Sequence, residues 1–85
     1  MNSYTTLLQT ILENAFLYTI APNLSIITAA CGNIFGKGIE AIITEQNENG
    51  FTMEITAKGS TTAVHFKTEQ STNTKGSIRI IGIEL

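Results

Sequence analysis

Apolar and polar residues alternate with a period of two through most of the chain after Gly38, which is the pattern of β-strands with one buried face. The alternation is unbroken in "FTMEITAK", residues 51–58, and "GIEAIITE" and "TTAVHFKT" on either side repeat it. Asn49-Gly50 is a hairpin signal because both residues tolerate positive φ, and Lys58-Gly59 predicts the next tight turn. The three segments therefore predict consecutive antiparallel strands.

The last apolar segment, "SIRIIGIEL", changes its phase halfway along. Ile78 and Ile80 share one parity, whereas Ile81, Ile83 and Leu85 share the other. A bulge near Ile81-Gly82 would return all of these side chains to one face, because one extra residue shifts the alternation by one position. The alternative is a strand that is buried on both faces. The polar segment before it, residues 69–76, contains no apolar residue and predicts a mobile loop.

The first 21 residues have helical rather than strand periodicity. An apolar stripe recurs at spacings of three and four residues, and it consists of Tyr4, Leu8, Ile11, Ala15 and Tyr18. Pro22 disfavours a helical conformation at Ala21 and predicts the end of the helix there. The final turns carry more apolar residues than one buried face requires, namely Phe16, Leu17 and Ile20. We take these three as a candidate interface with another chain.

Residues 24–31, "LSIITAAC", are ambiguous. Ser25 to Thr28 favour a strand by β-propensity, whereas Ala29 and Ala30 favour a helix. The prediction adopted here is a strand. A short second helix that ends near Gly32 or Gly36 is the alternative.

Taken together, these elements predict a single α+β domain over residues 1–85, in which an N-terminal amphipathic helix packs on a four- or five-stranded antiparallel meander sheet. The sheet could also bend into a small barrel. The order of one helix and five short strands resembles that of Sm-like small barrels, which assemble into rings. The resemblance covers element order only and assigns no functional residue.

Composition excludes several kinds of chemistry. All seven acidic residues are Glu, and the chain has one Cys and one His, so no set of residues suggests a metal site or a bound cofactor. A net charge of −2 without a basic run makes nucleic-acid binding an unfavoured prediction. The N-terminus lacks the basic segment of a signal peptide, and no window is apolar enough to span a membrane. We therefore expect a cytoplasmic protein.

The segment "CGNIFGKG", residues 31–38, is the one that most resembles a phosphate-binding loop. A Walker A motif needs four residues between its glycines and a Ser or Thr after the lysine. Here three residues separate Gly32 from Gly36, and Gly38 follows Lys37. The segment is better explained as a turn whose glycines adopt positive φ. Weak binding of an anion or a partner by Phe35, Gly36, Lys37 and Gly38 remains as a hypothesis.

Two catalytic arrangements are conceivable from the sequence, and both have simpler explanations. Cys31 and His65 could form a nucleophilic pair, but a packed thiol and a solvated imidazole on the outer sheet face explain them equally well. Glu40 and Glu54 could lie on adjacent strands of the polar face as an acid–base pair. With Lys67 and Arg79 as expected neighbours, such a face is usually just a solvated surface. We therefore predict that the protein is not an enzyme.

The sequence thus favours a small non-catalytic interaction protein that forms a homo-oligomer or docks on a larger protein. Its compact size and its Thr and Asn content would suit a virus- or plasmid-encoded modulator of a host protein. The alternative is an oligonucleotide-binding small barrel that forms a ring. Its candidate contacts are Lys37, Lys58, Lys67 and Arg79, with Phe35 as a stacking residue.

Overall fold

The computed structural model describes residues 3–70 and 76–85, which form two helices and five strands. In chain order the elements are α1 (Ser3–Phe16), β1 (Ile20–Ala21), α2 (Leu24–Phe35), β2 (Ile39–Asn47), β3 (Gly50–Ala57), β4 (Ser60–Gln70) and β5 (Ile78–Glu84). The predicted α+β class, with an N-terminal helix and an antiparallel meander, is confirmed.

The sheet has the strand order β1-β5-β4-β3-β2 and curls into a half-barrel. Strands β2 to β5 follow one another as a meander, and the two-residue strand β1 pairs with the start of β5. The core joins the inward residues of β3, β4 and β5 to one stripe of each helix. Its buried apolar residues are Leu8, Leu12, Phe16, Ala21, Ile27, Cys31, Phe51, Met53, Ile55, Val64, Phe66, Ile80 and Ile83.

Helix α1 is shorter than the helix predicted over the first 21 residues. It ends at Phe16, and the chain turns at Tyr18, whose φ of 66° is left-handed. The Tyr18 backbone amide then donates a hydrogen bond to the carbonyl of Ile80, and the Ile80 amide donates one back to Thr19. Pairing with β5 therefore stops the helix five residues before Ala21. The side chain of Tyr4, in the predicted stripe, lies outside the described part of the chain.

The prediction of a strand at 24–31 is wrong, and the alternative of a second helix is confirmed. Helix α2 begins after Asn23, whose side-chain oxygen accepts a hydrogen bond from the Ile26 amide, and it ends at a Gly36 C-cap. Ile27 and Cys31, four residues apart, face the core. A second helix between β1 and β2 also departs from the layout of one helix followed by five strands.

Both predicted hairpins form, but only one forms for the predicted reason. Lys58 and Gly59 have φ values of 52° and 81°, as a two-residue turn between β3 and β4 requires. At the β2–β3 hairpin the turn residues are Glu48 and Asn49, and neither has a positive φ. Gly50 is already paired in β3 opposite Lys67. Gly50 is therefore a strand residue, and its lack of a side chain is not required for a positive φ in the turn.

Of the two possibilities that the sequence leaves open for the last strand, the structure has the bulge. The register with β4 passes from Lys67 opposite Gly82 to Thr68 opposite Ile80, which leaves Ile81 as the extra residue. Ile80 and Ile83 are both buried, whereas Ile81 is 41% exposed. Most of the predicted loop at 69–76 lies outside the described residues. Its first two residues, 69 and 70, belong to β4 and not to a loop.

Candidate functional site

The glycine-rich segment is the turn between α2 and β2, as its structural explanation predicts. Gly36 and Gly38 have φ values of 82° and 86°, and the Gly36 amide donates to the Gly32 carbonyl at 2.8 Å. Lys37 is exposed between them, while Phe35 is half-buried against the core. The Phe35 ring is therefore partly covered, and weak binding by this segment stays a prediction.

The interface predicted at the end of the first helix is only partly on the surface. Phe16 is a core residue, and its ring meets that of Phe66 edge to face at a centroid distance of 6.1 Å. Leu17 is half-buried. Ile20 is 53% exposed on β1. Phe16 is thus excluded from a surface patch, because it continues the stripe of Leu8 and Leu12 that α1 buries against the sheet.

The Cys31–His65 pair does not assemble. The Cys31 thiol is fully buried on the inner side of the sheet and donates a hydrogen bond to the Met53 sulfur at 3.5 Å. His65 lies on the outer face, where its Nδ1 shares a 3.1 Å hydrogen bond with the hydroxyl of Thr52. The sheet separates the two side chains, and both simpler explanations hold.

Burial raises the pKa of the Cys31 thiol from 9.0 to about 11. At pH 8 about one thiol in a thousand is then ionised, so we expect Ellman's reagent to label the native protein at least about 100-fold more slowly than the urea-unfolded chain. Because the folded pKa is the higher one, the stability gained by keeping the thiol protonated is full below pH 9 and is lost as the pH rises towards 11. Fast stoichiometric labelling of the folded protein would contradict the burial of this thiol.

Glu40 and Glu54 are exposed diagonal neighbours on adjacent strands of the polar face and do not lie directly opposite each other, in agreement with the simpler explanation of a solvated surface. Glu54 lies opposite Ile42, and Glu40 lies opposite Thr56. The two basic residues of this region pair with other acids: Lys67 Nζ lies 2.7 Å from Glu84 Oε1, and Arg79 lies 3.8 Å from Glu69. The Lys67 hydrogen bond holds the pKa of Glu84 below its usual value. Lys37 and Lys58 lie in other turns, so the four cations do not form one basic surface.

The two edges of the sheet differ in how well they are covered. On the β5 side, β1 pairs with Ile78 and Arg79, and the Gln9 side-chain amide donates to the Ile83 carbonyl at 3.2 Å. On the other side, β2 is an edge strand of nine residues. No hydrogen bond from the described residues reaches its outer edge. The long β2 edge therefore presents unpaired backbone groups, the usual template for pairing with another strand.

Exposed isoleucines accompany the open edge. Ile42, in the middle of β2, is 50% exposed on the outer face. On α2, which packs against β2, Ile26 and Ile34 are exposed as well. A helix with apolar residues on both its core side and its outer side is typical of a buried position, so this region has the character of an interface.

An apolar groove opens on the same side of the sheet as the helices. No Cα atom of α1 lies within 8 Å of one in α2 over the described residues, and this gap leaves an open groove of about 510 Å³. We call it the α1 groove. It is lined by Leu7, Leu8, Ile11, Phe35, Ile39, Ala57, Lys58 and Ser60.

Comparison with known proteins adds no family: no protein-family model, no curated protein and no solved structure matches the chain. Neither described helix is long and apolar enough to cross a membrane. Within residues 3–70 and 76–85, no group of three or more His, Cys or Glu side chains could hold a metal ion. The candidate sites are therefore the β2 edge and the α1 groove.

Proposed function

We propose that this chain is a small non-catalytic interaction protein. It acts by pairing the β2 edge with a strand of another polypeptide, and the partner proposed here is a second copy of the chain. The observation that carries the proposal is the contrast between the two sheet edges, one covered by β1 and Gln9 and the other open over nine residues. Native proteins usually shorten, charge or cover such an edge.

The side chains of β2 allow self-pairing in a register that keeps like charges apart. An antiparallel pair about a two-fold axis at Ile42 sets this residue opposite its own copy on the outer face. Ala41 then faces Ile43, and Glu40 comes level with Thr44, the extra residue where the register of β2 with β3 shifts, so no like charges meet. An axis at Glu40 would set two carboxylates opposite each other, which is destabilising. The register at Ile42 therefore joins the two half-barrels into one continuous ten-stranded sheet.

The energetic reason for dimerisation is the thin core. A chain of 85 residues buries only about 60–65% of the surface that its unfolded form exposes. Three of the five exposed isoleucines in the described residues, Ile26, Ile34 and Ile42, lie on the strand that carries the open edge or on the helix that packs against it. Burying these residues against a second copy would extend the core. The paired β2 backbones would add interchain hydrogen bonds.

The test is native mass spectrometry and light scattering of the purified chain over a range of micromolar concentrations. We expect a dimer, and we expect Ile42→Lys to raise its dissociation constant by at least about tenfold, because the two-fold axis would set two lysines opposite each other. The substitution is at a half-exposed outward position, so the monomer should keep its fold and circular dichroism spectrum.

Ile20→Lys is the matched control, because Ile20 is as exposed as Ile42 but lies on β1 at the opposite edge. We expect this variant to dimerise like the parent chain. A dimer that is lost with Ile20→Lys and kept with Ile42→Lys would move the interface to β1. A parent chain that is monomeric at every concentration would overturn self-pairing and would leave the β2 edge to a different protein.

A further inference from the structure

We infer that the α1 groove binds a single-chain amphiphile with an anionic head group, a fatty acid of medium length being the simplest example. The inference concerns a different part of the surface from the β2 edge and does not rest on the proposed dimer. It rests on the positions of the polar groups in the groove and on the volume of the groove.

Apolar side chains line most of the groove. Six of its eight lining residues are apolar, and they come from both helices and from β2 and β3. The volume of about 510 Å³ lies within the usual range of small-ligand sites, about 300–1,000 Å³. Leu7 is 59% exposed at this site, whereas Leu8 beside it is buried. A leucine that stands open along such a groove has apolar surface available for a ligand to cover.

The two polar lining residues, Lys58 and Ser60, both belong to the β3–β4 hairpin and so lie together at one end of the groove. No carboxylate of the described residues lies within 4.0 Å of the Lys58 ammonium, and no acidic residue lines the groove. The positive charge is therefore free to meet a negative group. Its backbone position is fixed by the two-residue turn with Gly59.

This arrangement suits an acyl chain better than a peptide. A peptide would bring backbone amides and carbonyls into the groove, and each buried one would need a hydrogen-bonding partner. The groove offers Lys58 and Ser60 at one end and only apolar side chains along the rest. An unbranched hydrocarbon chain requires no polar partner along its length. Its carboxylate head would accept hydrogen bonds from the Lys58 ammonium and the Ser60 hydroxyl.

The experiment compares three twelve-carbon probes by isothermal titration calorimetry: dodecanoate and dodecyltrimethylammonium below their micelle concentrations, and dodecanol below its solubility limit. We expect dodecanoate to bind one to one and more tightly than the other two. Amide chemical-shift changes on titration should centre on Ile11, Ile39 and Ala57, which line the groove on three different elements. Absence of binding, equal affinity for the cationic probe, or shifts centred elsewhere would overturn the assignment.

Variants separate the head-group contact from general charge. Lys58→Met should weaken dodecanoate binding by about tenfold and leave dodecanol binding unchanged. Lys37→Met removes the same charge from a nearby turn that does not line the groove, so it should change neither. Leu7→Glu, at an exposed position, should abolish dodecanoate binding while the chain stays folded. Equal effects of Lys37→Met and Lys58→Met would mean that the protein's overall charge attracts the probe, and the proposed head-group site would be wrong.

Discussion

Replacing Gly50 with alanine is expected to lower the free energy of unfolding by about 3 kcal/mol, the upper part of the range for overpacking a folded interior. A Cβ atom at this position would overlap the carbonyl oxygen of Phe66 and lie 3.1 Å from its carbonyl carbon. Both atoms belong to the backbone of β4, so no flexible side chain can move aside. The strands would have to separate at the point where β3 begins. Urea denaturation followed by circular dichroism, at matched protein concentration, measures the loss.

Gly32→Ala is the control for the Gly50 variant. Gly32 lies in α2, and a Cβ there would meet nothing within 4 Å. Alanine is the better helix former by about 0.5–1 kcal/mol, so this variant should be more stable than the parent chain. If Gly50→Ala unfolded at the same urea concentration as the parent, the close approach of β3 and β4 at Phe66 would be wrong.

Gly50 also shows how a sequence signal can predict a feature for the wrong physical reason. Asn49-Gly50 indicates a hairpin, and a hairpin forms there, yet Gly50 is not in the positive-φ region. The steric requirement comes from Phe66, sixteen residues away, which no local pattern reveals. The Ile81 bulge, by contrast, has a local signal, because the apolar residues of β5 change parity within the strand; that signal locates the irregularity but does not distinguish a bulge from a strand buried on both faces.

The second helix is only the alternative prediction from the sequence, because two local signals disagree. The β-branched residues of "LSIITAAC" favour a strand in isolation. The decisive residues were the caps on either side: Asn23 satisfies the Ile26 amide, and Gly36 ends the helix with a left-handed φ. Gly36 is named in the helix alternative, whereas Asn23 lies outside the segment weighed for strand or helix. Propensity is a weak prior, and capping together with the burial of Ile27 and Cys31 outweighed it.

The β2 edge and the α1 groove depend on tertiary structure more than the individual helices and strands do. The sequence predicts a meander, but it does not say which strand is left at the edge, because that depends on β1 joining β5 rather than β2. From the sequence, Lys58 is a turn residue and one of four candidate cationic contacts for an oligonucleotide. Its place at the end of an apolar groove follows from where α1 crosses the sheet. Both surfaces therefore depend on contacts between elements that are distant in the sequence.

Replacing Phe16 with aspartate is expected to unfold the protein. Truncating a buried phenylalanine to alanine costs about 3–5 kcal/mol, and a buried, unpaired carboxylate adds several more. The stability of a domain of this size is on the order of 5–10 kcal/mol, so little or none would remain. The Phe16 ring is 6% exposed and packs edge to face on Phe66, which is itself stacked on Phe51 at 4.6 Å. Loss of the sheet signal in circular dichroism measures the effect.

Ile20→Asp is the matched control, because both residues were predicted from sequence to form one interface and only Ile20 is exposed. On the short strand β1, an outward aspartate should cost no more than about 1 kcal/mol, mainly through its poor strand propensity. A folded Phe16→Asp protein would mean that α1 does not seat this ring in the core, and the surface patch predicted at the end of the helix would then be restored. An unfolded Phe16→Asp protein beside a folded Ile20→Asp protein assigns the first residue to the core and the second to the surface, and it leaves the β2 edge as the better-supported interface.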